Sequence, residues 1–593
     1  MSFQYKAPLQ DIRFIRNTVF DFTSHYAACG FDELGEDTCD AIFQEIARFA
    51  EQEVAPLNRS GDEQGCALND GQVSTPDGFK EAYQRYVNGG WPGLSAPEEF
   101  GGQGLPPSLS LLVAEILSQA NQSWSMYTGL SAGARSTILA HGSDTQQRTY
   151  LPHLVSGNWT GTMCLTEPQC GSDLSFLRTR ALPQADGSYQ ITGTKIFISS
   201  GDHDMAENIV HIVLARLPNA PEGTRGISLF IVPKFIPTAD GQPGERNALS
   251  AGALEKKMGI HGNATCVMNF DGATGYLIGE ENKGLNCMFT FMNAARVGTA
   301  IQGITHAEIA QQGAWRYAVD REAGRALSGA QFPDRPADPL IVHPDVRRML
   351  FTIRAFAEGN RAFSCYLQKF IDLAELASDA ATRDHAETML SFLTPIAKGF
   401  MTENGVESAS SAMQVFGGHG YIREWGMEQN YRDARISTLY EGTTGIQALD
   451  LLGRKVLGSK GKTFAVFYET VLADIQALNN DSVRKELNSR LDEWAKLTAA
   501  IGEATANGLD EVGAAAHDYL MYSGYIVLAI MWARMADAAA KAEQTPFHRL
   551  KLTTANFYME RILPRADFHA AQIGCGAATL MDLSNDEMMA AAE

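Results

Sequence analysis

A carboxylate in a glycine-containing loop is the strongest candidate for acid–base chemistry in the sequence. Glu441 lies in the segment 440–445, YEGTTG, directly before the amphipathic run 446–457. A carboxylate where a loop meets a helix start either caps the helix or takes part in proton transfer. The segment alone leaves both interpretations open.

Two further segments combine small polar residues with predicted strand ends. The segment 164–173, CLTEPQCGSD, follows a predicted strand and bends at its proline and glycine. Such a bend can expose N–H and hydroxyl groups to a polar ligand, although an ordinary hairpin turn has the same composition. Phe197 and Ser199 close another predicted strand, where they would share one face beside a planar ring. A core phenylalanine is the simpler alternative.

A glycine-rich segment interrupts the helical pattern near the C-terminal third. The segment 414–421, QVFGGHGY, has three glycines within four residues. Glycine permits close approach of the backbone to a phosphate group or to another subunit. A flexible turn between helices is the alternative interpretation.

Other phosphate-binding and nucleophilic motifs are absent or weak. The sequence has no GxGxxG after a strand and no Walker loop, which argues against Rossmann and P-loop folds. The segment 129–133, GLSAG, matches GxSxG, but a hydrolase elbow needs a preceding buried strand. Residues 121–127 are polar and helical in pattern, so we do not expect Ser131 to be a nucleophile.

Hydrophobic periodicity places these segments in a helix, β-strand, helix order. Apolar residues at helical spacing precede residue 157, short β-rich runs with turn signals such as Asp271-Gly272 follow, and long helices return after residue 280. We therefore predict a mainly α protein with a central antiparallel β-domain. The expected parts are an N-terminal extension (1–36), a helical domain (37–159), a middle β-domain (160–280), a helix bundle (281–457) and an additional helical domain (462–593).

Composition limits the partners and the compartment. The formal net charge is −21 and the sequence pI is about 5.1, so most of the surface should repel nucleic acid. The nine cysteines show no CxxC spacing, which favours free thiols in a reducing compartment and gives no metal site. The N-terminal residues contain no apolar run, so we expect no signal peptide. The best hydrophobic stretch, residues 524–533, is far shorter than a membrane span, so we expect no span and a cytoplasmic location.

Together, the four segments resemble the acyl-CoA dehydrogenase family. The order CLTEPxxGSD, aromatic-x-hydroxyl, QxxGGxGY and YEGT is similar to the family pattern, and the resemblance extends from about Asp37 to Lys455. YKAPLQDIRF, KMGIHG and IREWGMEQ resemble a long subgroup with an added C-terminal helical domain. That subgroup includes prokaryotic 3-methylmercaptopropionyl-CoA dehydrogenases and enzymes for ordinary fatty acyl-CoAs.

The resemblance implies a fold, a cofactor and site residues. It implies an N-terminal helical domain, a β-barrel-like middle domain and a four-helix bundle, with FAD as cofactor. Glu441 would be the catalytic base, taking the α-proton of an acyl-CoA while the flavin accepts the β-hydrogen as hydride. The implied FAD contacts are Leu165, Thr166, Ser172, Phe197, Ser199, Arg321, Gln414, Gly418 and Thr443. The implied substrate contacts are Ser172, Asn293, Arg296, Tyr440 and Gly442.

The resemblance also implies partners and leaves alternatives. The product would be a trans-2-enoyl-CoA, electron-transfer flavoprotein the usual electron acceptor, and the assembly a homodimer or a dimer of dimers. An acyl-CoA oxidase that uses O2 is the nearest alternative. A non-catalytic flavin-fold protein that binds nucleic acid is disfavoured, because residues 461–593 are more acidic than basic. If Glu441 is not the base, Glu424 is the next carboxylate to test.

Overall fold

The computed structural model of the chain describes residues 4–592. The protein is mainly helical with a central β-region, as the sequence predicts. It forms two compact units. The unit here called the sheet unit contains residues 4–7 and 43–298, and the bundle unit contains residues 8–42 and 299–592. Among the described residues, no helix is both long and apolar enough to cross a membrane.

Helices predominate before the sheet, and local capping signals define their ends. The Asn121 side chain accepts a hydrogen bond from the Trp124 N–H (3.1 Å), so it ends one helix and caps the next. Ser143 and Gln146 form a reciprocal capping box at a later helix start. The helices are α1 (Leu9–Arg13), α2 (Phe22–Ala28), α3 (Glu36–Phe49), α4 (Leu57–Gln64), α5 (Phe79–Asn88), α6 (Pro107–Ala120), α7 (Gln122–His141) and α8 (Asp144–Ser156).

The strands form one large sheet and two small hairpins. They are β1 (Ala67–Asn69), β2 (Gln72–Ser74), β3 (Trp159–Cys164), β4 (Arg180–Pro183), β5 (Tyr189–Ile198), β6 (Asn208–Arg216), β7 (Ile227–Pro233), β8 (Phe235–Pro237), β9 (Pro243–Arg246), β10 (Leu249–Leu254) and β11 (Cys266–Ile278). The large sheet has the order β10-β11-β5-β4-β6-β3, and β7 pairs with both β11 and β6. The pairs β11-β5-β4-β6-β7 therefore close a barrel-like ring.

Two details of the sheet differ from the sequence expectation. Most pairs are antiparallel as predicted, but β3 runs parallel to β6, and β4 also pairs parallel with β6 through Arg180 and Arg216. The connection between β3 and β6 contains strands β4 and β5, so the crossover helix that usually signals a parallel pair is absent. Asp271-Gly272 was predicted as a turn but is a bulge inside β11, where Gly272 has φ +82° and the register shifts.

The core of the sheet unit surrounds β6 and β7. Nearly every residue of these strands is buried, as expected for runs rich in Ile and Val that are covered on both faces. Helices α7 and α8 contribute Ala134, Ile138 and Leu154 to the same core. Gly161 of β3 lies so close to α7 that an added Cβ would be 2.3 Å from the Ala134 Cβ. This close packing fixes the end of β3, from which segment 164–173 emerges.

Long helices form the bundle unit. They are α9 (Gly284–Asp320), of which residues from 299 on belong to this unit, α10 (Pro344–Leu376), α11 (Ala380–Phe416), α12 (Met427–Arg435) and α13 (Thr444–Leu449). Apolar residues at helical spacing in α10 are buried from Met349 to Phe370. An added Cβ on Gly303 of α9 would be 2.1 Å from the Met401 carbonyl oxygen, so the α9 and α11 backbones are in contact.

Further helices follow the bundle in sequence. They are α14 (Lys462–Gln476), α15 (Asp481–Ala504), α16 (Asp510–Lys541), α17 (Pro546–Phe557), α18 (Arg565–Ile573) and α19 (Asn585–Ala590). The apolar run 524–533 is buried in α16, which packs against α10 and α11. The Trp532 indole N–H of α16 donates to the Ala355 carbonyl of α10 (2.9 Å). The added helices are thus part of the same hydrophobic core as the bundle.

A buried charge network joins α1, α9, α10 and α17. Arg361 donates to the carboxylates of Asp11 and Glu308, and Lys551 donates to those of Asp11 and Glu358. All five side chains are at most 9% exposed. Burial alone would raise the pKa of Asp11, but the Lys551 and Arg361 charges hold it below its usual value. Removal of one member would leave buried charges uncompensated.

We predict that Lys551→Met destabilises the protein by about 3–5 kcal/mol, because Asp11 and Glu358 lose a buried partner. Urea unfolding followed by circular dichroism should show a clearly lower midpoint. Lys541→Met is the matched control, since Lys541 is 66% exposed in its ion pair with Asp537. The control should change stability by at most about 0.5 kcal/mol. Equal midpoints for the two variants would contradict the importance of the network.

Candidate active site

The segment 164–173 forms a turn that leaves the end of β3. Leu165 and Thr166 are half-buried at the start of this turn, and Ser172 is exposed near its end. The Thr166 carbonyl accepts a hydrogen bond from the Ile196 N–H (2.9 Å). The structure therefore brings this segment beside the end of β5, which contains Phe197.

A buried ion pair holds the turn in place. Glu167 accepts hydrogen bonds from the Lys195 ammonium (2.9 Å), the Thr179 N–H (3.0 Å) and the Arg178 N–H (2.7 Å). Lys195, which is fully buried, also donates to the Leu165 carbonyl (3.0 Å). Burial alone would raise the pKa of Glu167, but Lys195 and the other donors hold it at about 2. The carboxylate therefore stays charged and structural at neutral pH.

Phe197 and Ser199 do not share a strand face, contrary to the sequence expectation. Strand β5 ends at Ile198, and Phe197 has a left-handed backbone with φ +59°. Its ring is 59% exposed, which is unusual for a phenylalanine next to a buried core. The Asn263 amide accepts from the Ser200 N–H (3.2 Å) and donates to the Ser200 hydroxyl oxygen (3.0 Å). An exposed aromatic ring in a strained conformation is typical of a binding site.

Asn293 and Arg296 lie near the start of α9, within the sheet unit. Their separation of three residues places them on one side of the helix. Asn293 is exposed and Arg296 is 6% exposed. The helix thus presents one polar group at the surface and one cation that is mostly buried.

In the bundle unit, the loop 440–443 enters α13 through two consecutive left-handed residues. Glu441 has φ +57° and Gly442 has φ +88°. The helix cap is Thr443, whose hydroxyl oxygen accepts from the Ile446 N–H (3.2 Å). Glu441 therefore does not cap α13, which removes the simpler of the two sequence interpretations.

Side chains from three helices hold this loop. The Tyr440 hydroxyl donates to the Gln302 side-chain oxygen (2.5 Å), and burial raises the Tyr440 pKa. Lys398 of α11 and Gln447 of α13 donate to backbone carbonyls of the loop. We did not single out Lys195, Lys398 or Gln447 from the sequence. For the two lysines, the sequence signal of a buried position is a lysine within an apolar run, as in ITGTKIFI and LTPIAKGF.

Arg321, Gln414 and Gly418 lie at one exposed end of the bundle unit. All three are exposed. Tyr317 joins their segments, because its carbonyl accepts from the Arg321 N–H (2.8 Å) and its hydroxyl is 2.8 Å from His419 Nδ1. The structure therefore brings the end of α9 and the glycine turn after α11 together. An added Cβ on Gly418 would contact no neighbouring atom, so a ligand can approach the backbone there.

Ser131, the alternative nucleophile, and Glu424, the alternative base, lie in different environments from Glu441. Ser131 lies inside α7, where its hydroxyl donates to the Tyr127 carbonyl (3.0 Å) and accepts from the Gly161 N–H (3.1 Å). This is not the strand-to-helix elbow that a nucleophilic serine requires. Glu424 is exposed in a short turn between α11 and α12. Neither residue has the environment of a reactive group.

Four family models match successive parts of the chain. They are the acyl-CoA dehydrogenase N-terminal domain (36–158), middle domain (162–273) and C-terminal domain (282–457), and an acetyl-CoA dehydrogenase C-terminal-like domain (465–584).

Curated relatives match over nearly the whole chain. The chain is 42% identical to 3-methylmercaptopropionyl-CoA dehydrogenase of Ruegeria pomeroyi, over 94% of this chain and 96% of that protein. It is 32% identical to a broad-specificity linear acyl-CoA dehydrogenase of Mycobacterium tuberculosis, over 90% of this chain and 91% of the relative.

Solved structures show the same fold. A Caenorhabditis elegans protein, ACDH-11 in complex with C11-CoA, superposes with a TM-score of 0.78 at 19% identity and covers 94% of this chain and 91% of its own. A Bacillus anthracis acyl-CoA dehydrogenase complexed with FAD has a TM-score of 0.73 at 20% identity, with the same coverage. The motif order, the full-length relatives and the fold agree, and the chain belongs to the acyl-CoA dehydrogenase family.

Proposed function

We propose that the chain converts an acyl-CoA thioester to the trans-2-enoyl-CoA with Glu441 as the catalytic base. As a member of its family, it is an FAD-dependent oxidoreductase. The conformation of residues 441–443 carries the proposal for Glu441. The backbone of Glu441 has a positive φ, which is disfavoured for a residue with a Cβ, while Thr443 caps the following helix. Strain at an ionisable residue is typical of functional sites.

Proton removal from the α-carbon needs more than a base. The α-proton of a thioester is weakly acidic, so the negative charge that develops on the thioester oxygen must be stabilised by donors. The Glu441 carboxylate accepts the proton, and the Glu441 backbone N–H is one proposed donor to that oxygen. Tyr440 and Gly442 flank the base in the chain and are proposed to contact the substrate. Asn293 is proposed to contact the CoA part, and Arg296 to contact the substrate near the base.

The polar turns of the sheet unit fit a flavin. Phe197 offers an exposed ring for stacking, and Ser199 offers a hydroxyl close by in sequence. Leu165, Thr166 and Ser172 supply backbone and hydroxyl groups at the segment held by Glu167. When bound, FAD supplies the acceptor for the β-hydrogen, which leaves as a hydride. Thr443 is proposed as a further FAD contact, because a hydroxyl group can accept from Ile446 and still donate.

The exposed end of the bundle unit suits a dinucleotide held by a second subunit. Arg321 offers a guanidinium group, Gln414 an amide and Gly418 an open backbone. We propose that these residues contact the FAD of a neighbouring copy in a homodimer or a dimer of dimers, with the dimer favoured. Electron-transfer flavoprotein is the proposed electron acceptor.

The proposed substrate is 3-(methylthio)propanoyl-CoA. The 42% identity over 94% of the chain to a 3-methylmercaptopropionyl-CoA dehydrogenase supports this choice. Short, medium or long fatty acyl-CoAs are the alternative, since a relative at 32% identity has broad specificity for linear acyl-CoAs.

We expect Glu441→Gln to fold, retain FAD and bind acyl-CoA, yet reduce the flavin about 10²–10⁴-fold more slowly. Glutamine keeps the shape and hydrogen bonding of the side chain but cannot accept the α-proton. Anaerobic stopped-flow bleaching of the flavin measures the rate. Glu424→Gln, at an exposed carboxylate, should leave the rate unchanged. Bleaching of Glu441→Gln within tenfold of wild type would exclude Glu441 as the base.

A substrate panel should rank 3-(methylthio)propanoyl-CoA above butyryl-, octanoyl- and palmitoyl-CoA in kcat/KM. One methylene in an apolar pocket changes kcat/KM by about 10–200-fold, so differences of tenfold or more are expected. The assay uses an artificial acceptor under argon and, separately, oxygen uptake under air. A higher value for a long-chain substrate would reject the substrate assignment. Fast oxygen uptake without the acceptor would indicate an oxidase.

Sedimentation velocity of the holoenzyme should show a dimer, because we propose that each FAD contacts two subunits.

Arg321→Ala should weaken FAD binding by about 10–100-fold. The estimate follows from a charge-assisted hydrogen bond of about 1.5–3 kcal/mol. Arg316→Ala is the matched control, because Arg316 is a 53% exposed arginine near the end of α9, five residues before Arg321. A fully active monomer, or equal FAD affinity in the two variants, would contradict the shared site.

A further inference from the structure

Two fully buried side chains donate to consecutive carbonyls of the Glu441 loop. The Gln447 side-chain amide donates to the Glu441 carbonyl (3.0 Å), and the Lys398 ammonium donates to the Gly442 carbonyl (2.6 Å). Both side chains are 0% exposed. The donors come from different helices, α13 and α11, so they hold the loop from two directions.

The loop has little freedom to relax around these donors. Glu441 and Gly442 both have positive φ, a conformation that persists only when the surroundings enforce it. An added Cβ on Gly442 would be 2.5 Å from the Gln447 amide nitrogen. The Gln447 amide therefore packs directly on the Gly442 backbone as well as donating to its neighbour.

Lys398 donates to the Gly442 carbonyl from a fully buried ammonium group, and burial of that charge costs free energy of desolvation. A buried ammonium group loses its hydration, whereas a neutral amide or hydroxyl could donate to the same oxygen at lower cost. A charged donor gives a shorter and stronger hydrogen bond than a neutral one. The short hydrogen bond from Lys398 is therefore a strong restraint on the orientation of the Gly442 peptide.

The helix turn that contains Lys398 is itself closely packed against α16. An added Cβ on Gly399 would be 2.7 Å from a Leu520 methyl group, and one on Gly524 would be 2.2 Å from the Phe400 ring. The backbone of this turn therefore packs closely on side chains of α16, and the α16 backbone at Gly524 packs closely on Phe400. The added C-terminal helices therefore support the turn from which Lys398 reaches the loop.

We propose that Lys398 and Gln447 are positioning residues that orient the Glu441 carboxylate and backbone N–H for α-proton removal. The proposal rests on the proposed role of Glu441. Neither side chain is assigned a contact with substrate or FAD. Their function is to fix two carbonyls, and through them the two peptide planes that flank the base.

The test compares Lys398→Met with Lys551→Met in the holoenzyme. Both variants remove a fully buried lysine from a helix of the bundle unit, but Lys551 contacts the Asp11 network. The measurements are flavin reduction at saturating 3-(methylthio)propanoyl-CoA and at saturating octanoyl-CoA, FAD content, and amide hydrogen exchange of the peptide spanning residues 439–446. Using both substrates makes the test independent of the substrate assignment.

In Lys398→Met we expect flavin reduction to fall by about 10²-fold, as for a displaced catalytic group, with FAD content unchanged. Exchange of the 439–446 peptide should become faster. In Lys551→Met the unfolding midpoint should fall, while flavin reduction and exchange of this peptide remain at wild-type values. This contrast separates local positioning from general loss of stability.

A Lys398→Met enzyme with wild-type reduction rate and loop exchange would overturn the proposal. If Glu441→Gln is inactive in the same experiment, the proposed function still stands. Should Lys398→Met fail to fold, Gln447→Met decides, since it removes a neutral donor at similar side-chain length. Slower reduction with faster loop exchange in Gln447→Met supports the proposal, and wild-type values for both overturn it.

Discussion

A buried ammonium group must be surrounded by hydrogen-bond acceptors, and in both units those acceptors include the backbone of a candidate active-site loop. Lys195 binds the Leu165 carbonyl and the Glu167 carboxylate in the sheet unit. Lys398 binds the Gly442 carbonyl in the bundle unit. Desolvation makes these contacts obligatory, because an unpaired charge in the interior is far more costly than a paired one. The two loops are therefore restrained by hydrogen bonds to the strand and the helix that contain the lysines.

These restraints permit backbone conformations that would not persist on an isolated loop. Phe197 and Glu441 both have positive φ, which is uncommon for residues with a Cβ. At Phe197 the neighbouring Ser200 is held by the Asn263 amide, and at Glu441 the carbonyl is held by Gln447. An exposed ring and a carboxylate outside the helix cap are the results.

The helices after residue 461 contribute to the same arrangement. Their longest apolar run, in α16, packs on α10 and α11, and the buried Lys551 of α17 joins α1 to α9 and α10 through shared carboxylates. These helices therefore complete the core of the bundle unit. A bundle helix that faced solvent at Gly399 would lack the Leu520 contact that keeps its turn in place. The proposed positioning of Glu441 thus involves Leu520, which lies beyond residue 457, where the match to the family's C-terminal domain ends.

The sequence by itself determined the fold class, the family, and the segments that contain the candidate site. Apolar periodicity and the order of CLTEPxxGSD, QxxGGxGY and YEGT depend on residues close together in the chain, so they are visible without coordinates. The tertiary structure decided which strand lies parallel to β3, that Asp271-Gly272 is a bulge, and that Thr443 rather than Glu441 caps α13. It also decided the hydrogen-bond partners of Lys195 and Lys398, which lie 28 and 44 residues away in the candidate active-site loops. Burial and backbone strain are properties of the packed chain, because they depend on contacts between segments that no local pattern specifies.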